Sequence, residues 1–257
     1  MPPREFDAAI FDMDGVVTRT AAVHSRAWKQ MFDDYLRLRA TRTGEVFREF
    51  TPADYLAHVD GRPRYQGVAT FLKSRGIDLP PGAPDDSPGA ETVCGLGNCK
   101  NELFNAIIAR EGAGLYDSTV GLIGDLRASA IKVGLATSSR NSTLVLQKSG
   151  VSHLFATVVD GIVSEQLGLQ GKPAPDIFQA ASARLGVRPE QAIVIEDAVT
   201  GVEAGASGGF ALVIGLAREN NHAELRHHGA DVVFTDLAET NLEKINEAIR
   251  AKRGSRA

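Results

Sequence analysis

In the segment Ala8-Ala9-Ile10-Phe11-Asp12-Met13-Asp14-Gly15, four apolar residues lead into two aspartates and a glycine. This pattern indicates a buried β-strand that ends in a polar turn. Comparable apolar runs recur in the second half of the 257-residue sequence, each followed by a polar turn and a helical pattern. They begin at Val133, Thr157, Ile193, Leu212 and Val232. The alternation predicts an α/β domain with a doubly wound parallel sheet.

The residues after the first strand interrupt this alternation. Apolar side chains at helical spacing predict helices there instead of a single crossover. The predicted helices cover residues 20–35, 65–75 and 101–110, and Thr51-Pro52 has the sequence of a helix start.

A loop separates the last two of these helices. Proline, glycine and aspartate are concentrated in residues 79–89, and we extend the predicted loop to residues 77–99. We therefore predict two domains. Residues 1–19 and 112–257 form the α/β core, and residues 20–111 form a helical cap domain inserted after the first strand.

The composition is ordinary for a globular protein, with 43% hydrophobic and 23% charged residues. Its 28 basic and 32 acidic side chains give a net charge of −4, whereas nucleic-acid-binding domains usually carry a basic excess. Two cysteines, Cys94 and Cys99, are too few for a disulfide framework and fit a reducing compartment. No apolar run predicts a membrane span or a signal peptide. We expect a cytoplasmic monomer that binds neither nucleic acid nor membrane.

Polar side chains are concentrated where the predicted strands end. Asp12 and Asp14 follow the first strand, residues 137–139 follow the second, and Glu196 and Asp197 follow the strand that begins at Ile193. Ligands bind beyond the carboxyl ends of the strands in a parallel α/β sheet. We therefore expect these groups to converge, together with Lys172, which precedes a predicted helix.

The residue types at this edge indicate a reaction class. Four carboxylates repel one another unless a cation lies among them, and oxygen ligands beside a phosphate are the usual setting for Mg2+. Hydroxyls and a lysine can bind phosphoryl oxygens, and an aspartate can attack phosphorus to form an aspartyl-phosphate. The sequence therefore predicts Mg2+-assisted phosphoryl transfer.

Four segments resemble, in order, the four motifs of the haloacid dehalogenase-like phosphotransferases. They are Asp12-Met13-Asp14-Gly15, Thr137, Lys172-Pro173 and Glu196-Asp197. A single Asp-x-Asp-Gly would be weak evidence, whereas four ordered motifs at predicted strand or helix ends are specific. The resemblance covers nearly the whole chain and implies a Rossmann-like core with an inserted helical cap.

A narrower resemblance connects the sequence to the β-phosphoglucomutases, which convert β-glucose 1-phosphate into glucose 6-phosphate. It rests on residues 18–29, 61–64, 100–101, 137–141 and 171–178. For the core, it implies that Asp12 is the nucleophile and Asp14 the general acid/base. It also implies these ligands: Asp12, Asp14, Glu196 and Asp197 for Mg2+; Thr137, Ser138 and Lys172 for the transferring phosphoryl group.

The same resemblance implies roles for residues of the cap. Arg64 would bind the distal phosphate of a sugar phosphate, together with Ser139 and Asn141. His24 and Lys100 would link cap closure to catalysis, and Trp28 would contribute to the substrate site. The sequence departs from the family pattern at Arg19, at Cys99 and in the long loop, so the cap contacts are the part least determined by the resemblance.

Two other functions remain open at this point. A sugar-phosphate phosphatase would use the same core, because only cap contacts separate it from a mutase. A non-catalytic module that binds Mg2+ or phosphate would retain its function in the variant Asp12→Asn. Structural roles are also open for single residues: helix capping for Thr137 and Glu196-Asp197, an aromatic core pair for His24 and Trp28, and solvated positions for Arg64, Lys100 and Lys172.

Overall fold

The computed structural model describes residues 4–59 and 62–255. The chain divides into two compact units, one joining Met1–Arg19 to Ala113–Ala257 and the other comprising Thr20–Gly112. We call them the α/β unit and the inserted unit. Within the described ranges, no helix combines the length and the apolar composition needed to cross a membrane.

The α/β unit is built on a six-stranded parallel sheet. Its strands are β1 (Ala8–Phe11), β2 (Lys132–Ala136), β3 (Thr157–Val159), β4 (Ala192–Glu196), β5 (Leu212–Leu216) and β6 (Val232–Phe234). The strand order is β3-β2-β1-β4-β5-β6, and every neighbouring pair is parallel. The order reverses between β1 and β4, as in a doubly wound fold. The predicted fold class is confirmed, and each predicted strand is present.

Strand β1 lies at the centre of this sheet. Phe11 pairs with Leu135 of β2 on one side and with Ile195 of β4 on the other. All four side chains of β1 are 0% exposed. Both faces of this strand are thus covered, which explains its uninterrupted apolar sequence. The register brings the carboxyl ends of β1, β2 and β4 to one edge of the sheet.

The inserted unit is helical. Its helices are α1 (Ala21–Thr43), α2 (Pro52–His58), α3 (Arg64–Ser74) and α4 (Val93–Glu111). Aromatic rings fill its core: the Phe32 ring centroid lies 4.2 Å from that of Phe71 and 5.0 Å from that of Phe50. The helix start predicted at Thr51-Pro52 is confirmed, because the Thr51 hydroxyl accepts a hydrogen bond from the Asp54 amide in a capping box.

Helix α4 corrects the prediction of a loop over residues 77–99, because its first two turns include residues 93–99. The Thr92 hydroxyl caps it by accepting a hydrogen bond from the Gly95 amide at 2.9 Å. Gly95 and Gly97 made the segment resemble a loop, since glycine disfavours helices. Both are closely packed, because a Cβ would lie 2.5 Å from the Ala90 carbonyl oxygen at Gly95 and 2.6 Å from the Tyr65 ring at Gly97.

Seven further helices of the described residues belong to the α/β unit. They are α5 (Asp117–Ala128), α6 (Ser142–Lys148), α7 (Gly161–Leu167), α8 (Asp176–Arg184), α9 (Val199–Ser207), α10 (His222–His227) and α11 (Leu242–Gly254). The sequence pattern does not predict α5, which contains two glycines, or α7, which is only seven residues long. Helix α1 continues to Thr43, eight residues beyond the predicted end at residue 35.

Candidate active site

Asp12 follows β1 directly, and its backbone extends the pairing of β1 with β4 by one residue. Its amide donates a hydrogen bond to the Ile195 carbonyl of β4 at 3.0 Å. On the other side of β1, the Thr137 amide donates to the Val159 carbonyl of β3 at 3.0 Å. Asp12 is 6% exposed and Thr137 is 2% exposed. The carboxylate and the hydroxyl are therefore held by the sheet itself rather than by mobile loops.

Lys172 joins two of the predicted carboxylates. Its Nζ lies 2.6 Å from Asp12 Oδ1 and 2.6 Å from Glu196 Oε1, and all three side chains are at least nine-tenths buried. Burial alone would lower the pKa of Lys172, but the two carboxylates outweigh it and hold that pKa above its usual value. Lys172 is therefore a permanent cation at this edge of the sheet.

The carboxylates outnumber this one cation. Burial raises the pKa of Asp12 to about 7; Lys172 opposes the rise, while Glu196 and Asp14 add to it. Burial also raises the pKa of Asp197 well above its usual range, and the charges of Glu196, Asp12 and Asp14 raise it further. Without a further cation these carboxyls therefore resist ionisation, and a bound cation would favour their charged forms.

Two glycines provide the space for the acidic side chains. Gly15 has a φ of +83°, and a Cβ at this position would overlap the Asp197 carboxylate. A Cβ at Gly201, in the first turn of α9, would overlap the Glu196 carboxylate. The Ala198 amide donates a hydrogen bond to Glu196 Oε2 at 2.7 Å. The fold therefore fixes both carboxylates against backbone that has no side chain.

The donor set fits Mg2+, since Asp12, Asp14, Glu196 and Asp197 offer only oxygen ligands. Within residues 4–59 and 62–255, no three acidic, histidine or cysteine side chains form a preorganised metal site. Asp12 and Glu196 are instead bridged by Lys172. The prediction of a metal site at these residues stays a prediction, supported by the oxygen donors and by the raised pKa values of Asp12 and Asp197.

The segment after β2 forms a chain of hydroxyl-to-amide hydrogen bonds. The Thr137 hydroxyl accepts from the Ser139 amide at 3.1 Å, and the Ser139 hydroxyl accepts from the Asn141 amide at 3.2 Å. Ser138 is exposed, whereas Ser139 and Asn141 are partly buried. Four of the predicted phosphate-binding residues, Thr137, Ser138, Ser139 and Asn141, thus share one ordered turn after β2.

Two residues that were not predicted from the sequence, Asp160 and Gly161, support this turn. Asp160, at the end of β3, is 6% exposed and accepts a hydrogen bond from the Ser142 hydroxyl at 2.5 Å. The Gly161 amide donates to the Ser139 carbonyl at 2.9 Å, and a Cβ at Gly161 would lie 2.6 Å from the Ser138 carbonyl oxygen. The position of Asp160 after a predicted strand was the signal that could have identified it.

Arg218 is a third residue that was missed, and it follows β5. Its Nε donates a hydrogen bond to the Gly15 carbonyl at 2.9 Å, and its Cζ lies 3.7 Å from the centroid of the Tyr116 ring. The rule that polar groups gather at strand ends applies here too. The sequence pattern places the end of this strand at Ile214, two residues before the observed end at Leu216, so Arg218 does not directly follow the predicted strand.

In the inserted unit, the structure brings His24 and Lys100 together. Lys100 Nζ lies 2.7 Å from His24 Nδ1, and the His24 ring stacks on Phe104 at 4.3 Å between centroids. Burial lowers the pKa of His24 to about 3, and the positive charges of Lys100 and Arg64 contribute to this shift. His24 is therefore neutral near pH 7, and its Nδ1 accepts a hydrogen bond from the Lys100 ammonium group.

Arg64 and Trp28 occupy different environments in the same unit. Arg64 Nη2 donates a hydrogen bond to Asn101 Oδ1 at 2.9 Å at the start of α3. Trp28 is 4% exposed and stacks on Phe32 at 5.3 Å between ring centroids. Core packing therefore accounts for Trp28 without a ligand. Gly61, part of the resemblance around Arg64, lies outside the described residues.

The sheet order and the polar residues along its edge define an α/β enzyme. The chain belongs to the haloacid dehalogenase-like hydrolase family, whose family model matches residues 6–209. It is 46% identical to a β-phosphoglucomutase of Mycobacterium tuberculosis over 241 residues, which cover 92% of each chain. It is 30% identical to a β-phosphoglucomutase of Bacillus subtilis, over 93% of this chain and 94% of the relative.

A solved structure shares the fold. The β-phosphoglucomutase of Clostridium difficile superposes with a TM-score of 0.70 at 24% sequence identity. The match covers 96% of this chain and 98% of that chain. The similarity therefore extends over the α/β unit and the inserted unit alike.

Proposed function

We propose that this protein is a Mg2+-dependent phosphotransferase that acts on a phosphorylated sugar through an aspartyl-phosphate at Asp12. We further propose that its reaction is that of a β-phosphoglucomutase. The observation that carries the proposal is the position of Lys172 Nζ, 2.6 Å from both Asp12 and Glu196 at the carboxyl end of the sheet. The 46% identity to the mycobacterial β-phosphoglucomutase supports the choice of reaction.

The proposed reaction has two phosphoryl transfers. Phosphorylated Asp12 donates its phosphoryl group to the 6-hydroxyl of β-glucose 1-phosphate, and the hydroxyl proton passes to Asp14. The resulting 1,6-bisphosphate then returns the phosphoryl group at carbon 1 to the Asp12 carboxylate. Asp14 gives its proton to the departing oxygen, which leaves glucose 6-phosphate and phosphorylated Asp12.

Side chains of the α/β unit stabilise charge during both transfers. The Lys172 ammonium group and the hydroxyls of Thr137 and Ser138 bind the oxygens of the transferring phosphoryl group. Ser139 and Asn141 bind the other phosphate. Mg2+, held by Asp12, Glu196, Asp197 and the backbone carbonyl of Asp14, would supply positive charge to the phosphoryl oxygens. In this assignment Lys172 is the side-chain cation that binds the transferring phosphoryl group.

The proposal also includes residues of the inserted unit. It assigns Arg64 to the distal phosphate of the substrate. It assigns the pair of His24 and Lys100 to the coupling of closure with catalysis, because a mutase must exclude the water that would hydrolyse the aspartyl-phosphate. Trp28 supports that pair, since Lys100 Nζ lies 5.1 Å from its ring.

A coupled assay tests the reaction. The protein is given Mg2+, β-glucose 1-phosphate and a trace of the 1,6-bisphosphate, and glucose 6-phosphate and free phosphate are measured together. We expect glucose 6-phosphate without stoichiometric phosphate. Phosphate release without glucose 6-phosphate would instead identify a sugar-phosphate phosphatase and refute the mutase assignment.

The variant Asp12→Asn tests the covalent mechanism in the same assay. It removes the nucleophilic oxygen, so turnover should fall to background. Asp125→Asn is the matched control, because Asp125 is an exposed aspartate on α5 and should leave turnover unchanged. Full turnover by Asp12→Asn would exclude an aspartyl-phosphate and favour a different chemistry at this site.

A further inference from the structure

We propose that Arg218 is a positioning residue that fixes the catalytic loop, residues 12–18, through the carbonyl group of Gly15. This inference rests on the proposed function, in which Asp12 and Asp14 carry the chemistry. Arg218 belongs to none of the four motifs, and it lies 203 positions from Gly15 in the sequence.

The guanidinium group connects the ends of three strands. Its Nε donates a hydrogen bond to the Gly15 carbonyl, after β1, at 2.9 Å. Its Nη1 donates to the Thr235 carbonyl and to Asp236 Oδ2, after β6, both at 3.0 Å. Arg218 itself follows β5. The Arg218 guanidinium group therefore links the catalytic loop to the residues that follow β6, the edge strand of the sheet.

Gly15 is a tightly constrained residue of the catalytic loop. Its φ is +83°, and the Asp197 carboxylate occupies the space where a Cβ would lie. Gly15 therefore cannot move toward Asp197. Its amide donates to the Thr18 carbonyl at 2.9 Å, which closes the loop. The Arg218 hydrogen bond fixes the remaining polar group of Gly15, and Asp14 is its direct neighbour in the chain.

Tyr116 provides a second connection to the same loop. Its amide donates a hydrogen bond to the Val17 carbonyl at 3.1 Å. Its ring lies 3.7 Å from Arg218 Cζ and 4.7 Å from Arg19 Cζ, measured to the ring centroid. The stack orients the Arg218 plane, so that Nε and Nη1 point to their different acceptors.

The geometry requires arginine rather than any cation. The side chain of Arg218 is 14% exposed, and its Nη2 is buried without a hydrogen-bond partner among the described residues. An unsatisfied buried donor lowers stability, so this arrangement is not the one that stability alone would favour. A lysine would keep the charge but could not reach both the Gly15 carbonyl and Asp236 from one planar group.

The test compares the variants Arg218→Ala and Arg218→Lys with the control Arg226→Ala, an exposed arginine on α10. We expect Arg218→Ala to lower kcat about 10- to 100-fold with KM changed less than about threefold, because small displacements of reacting groups slow chemistry more than binding. Arg218→Lys should show the same split to a smaller degree. Added methylguanidinium should restore part of kcat in Arg218→Ala.

A spectroscopic readout separates this inference from the proposed function. In the 1H–15N spectrum, the amide resonances of Gly15 and Val16 should move in Arg218→Ala and stay in place in Arg226→Ala. If the wild type fails to convert the sugar phosphate, the proposed function is wrong, and these resonances still decide the role of Arg218. Unmoved resonances overturn the inference, as does wild-type kcat in either Arg218 variant. If Arg218→Ala does not fold, Arg218→Lys decides by the same two measurements.

Discussion

Asp12 and Lys172 are 160 positions apart in the sequence, yet Lys172 Nζ and Asp12 Oδ1 are 2.6 Å apart in the fold. The same ammonium group lies 2.6 Å from Glu196 Oε1. Lys172 thus keeps two buried carboxylates at short range from each other. Its charge is needed for the structure of the site as well as for the proposed chemistry.

Replacement of Lys172 by methionine should therefore lower both stability and activity. The change leaves two buried carboxylates without their cation, and breaking a buried pair costs about 3–5 kcal/mol. Urea unfolding at pH 8 measures the loss, and the sugar-phosphate assay should show turnover reduced by at least about 100-fold. Lys148→Met, at an exposed position on α6, is the control. A stability loss no larger than that of the control would contradict this role.

Gly15→Ala should disturb the site beyond the effect of backbone strain. A left-handed φ costs a residue with a Cβ about 1–2 kcal/mol. Gly209→Ala is the matched control, because Gly209 has a φ of +78° with open space where a Cβ would be added. Both variants should lose stability, but only Gly15→Ala should displace Asp197 and raise the Mg2+ concentration needed for half-maximal activity. Equal Mg2+ dependence in the two variants would show that Asp197 does not depend on Gly15.

His24 should make the protein less stable in acid. Its pKa is about 3 in the folded state and 6.5 without burial, so between these values the unfolded chain binds a proton that the folded chain does not. Stability therefore falls as pH decreases below 6.5, by about 2 kcal/mol between pH 7 and pH 5. His24→Asn should lose that much less than the wild type over this range, measured by urea unfolding.

The control for this pH dependence is His153→Asn, at an exposed histidine of the α/β unit. Its stability should vary with pH as in the wild type. If His24→Asn showed the same pH dependence as the wild type and the control, the His24 ring would not be kept neutral by the fold.

Asp160 should influence the predicted phosphate-binding turn, residues 137–141, through its hydrogen bonds. It accepts from the amides of Ile162 and Val163 at the start of α7 and from the Ser142 hydroxyl. Asp160→Ala removes the cap and should cost about 1–2 kcal/mol. We also expect a higher KM for the sugar phosphate, because Gly161 contacts the turn that contains Ser138 and Ser139. An unchanged KM with the expected loss of stability would limit Asp160 to a capping role.

The sheet was predictable because its signals are local. A fully buried strand such as β1 needs an uninterrupted apolar run, and a polar turn marks its end. The helices were less predictable where packing opposes intrinsic propensity. Gly95 and Gly97 weaken the helical pattern, yet contacts with Ala90 and Tyr65 require residues without a Cβ inside α4. The sequence pattern alone does not predict those contacts.

The residues of the candidate site were also predictable only where their sequence signal is local. Asp12, Thr137 and Glu196 were found because each lies at the end of a strand, and Lys172 because it precedes a helix. Arg218 was not found, because its role depends on a hydrogen bond to a residue 203 positions away. Its position after β5 was a weak signal, because the predicted strand ended two residues too early, and only the fold shows which backbone group it contacts.

The central position of β1 has a consequence for the order in which the α/β unit opens. Amide hydrogens of a strand paired on both sides exchange with solvent mainly through global unfolding, whereas those at sheet edges exchange through smaller openings. The Asp12 amide, bonded to Ile195, belongs to the first group, and β6 at the edge belongs to the second. We therefore expect the proposed nucleophile to be attached to one of the most slowly exchanging segments of the sheet, so that partial opening of the sheet edges leaves Asp12 in place.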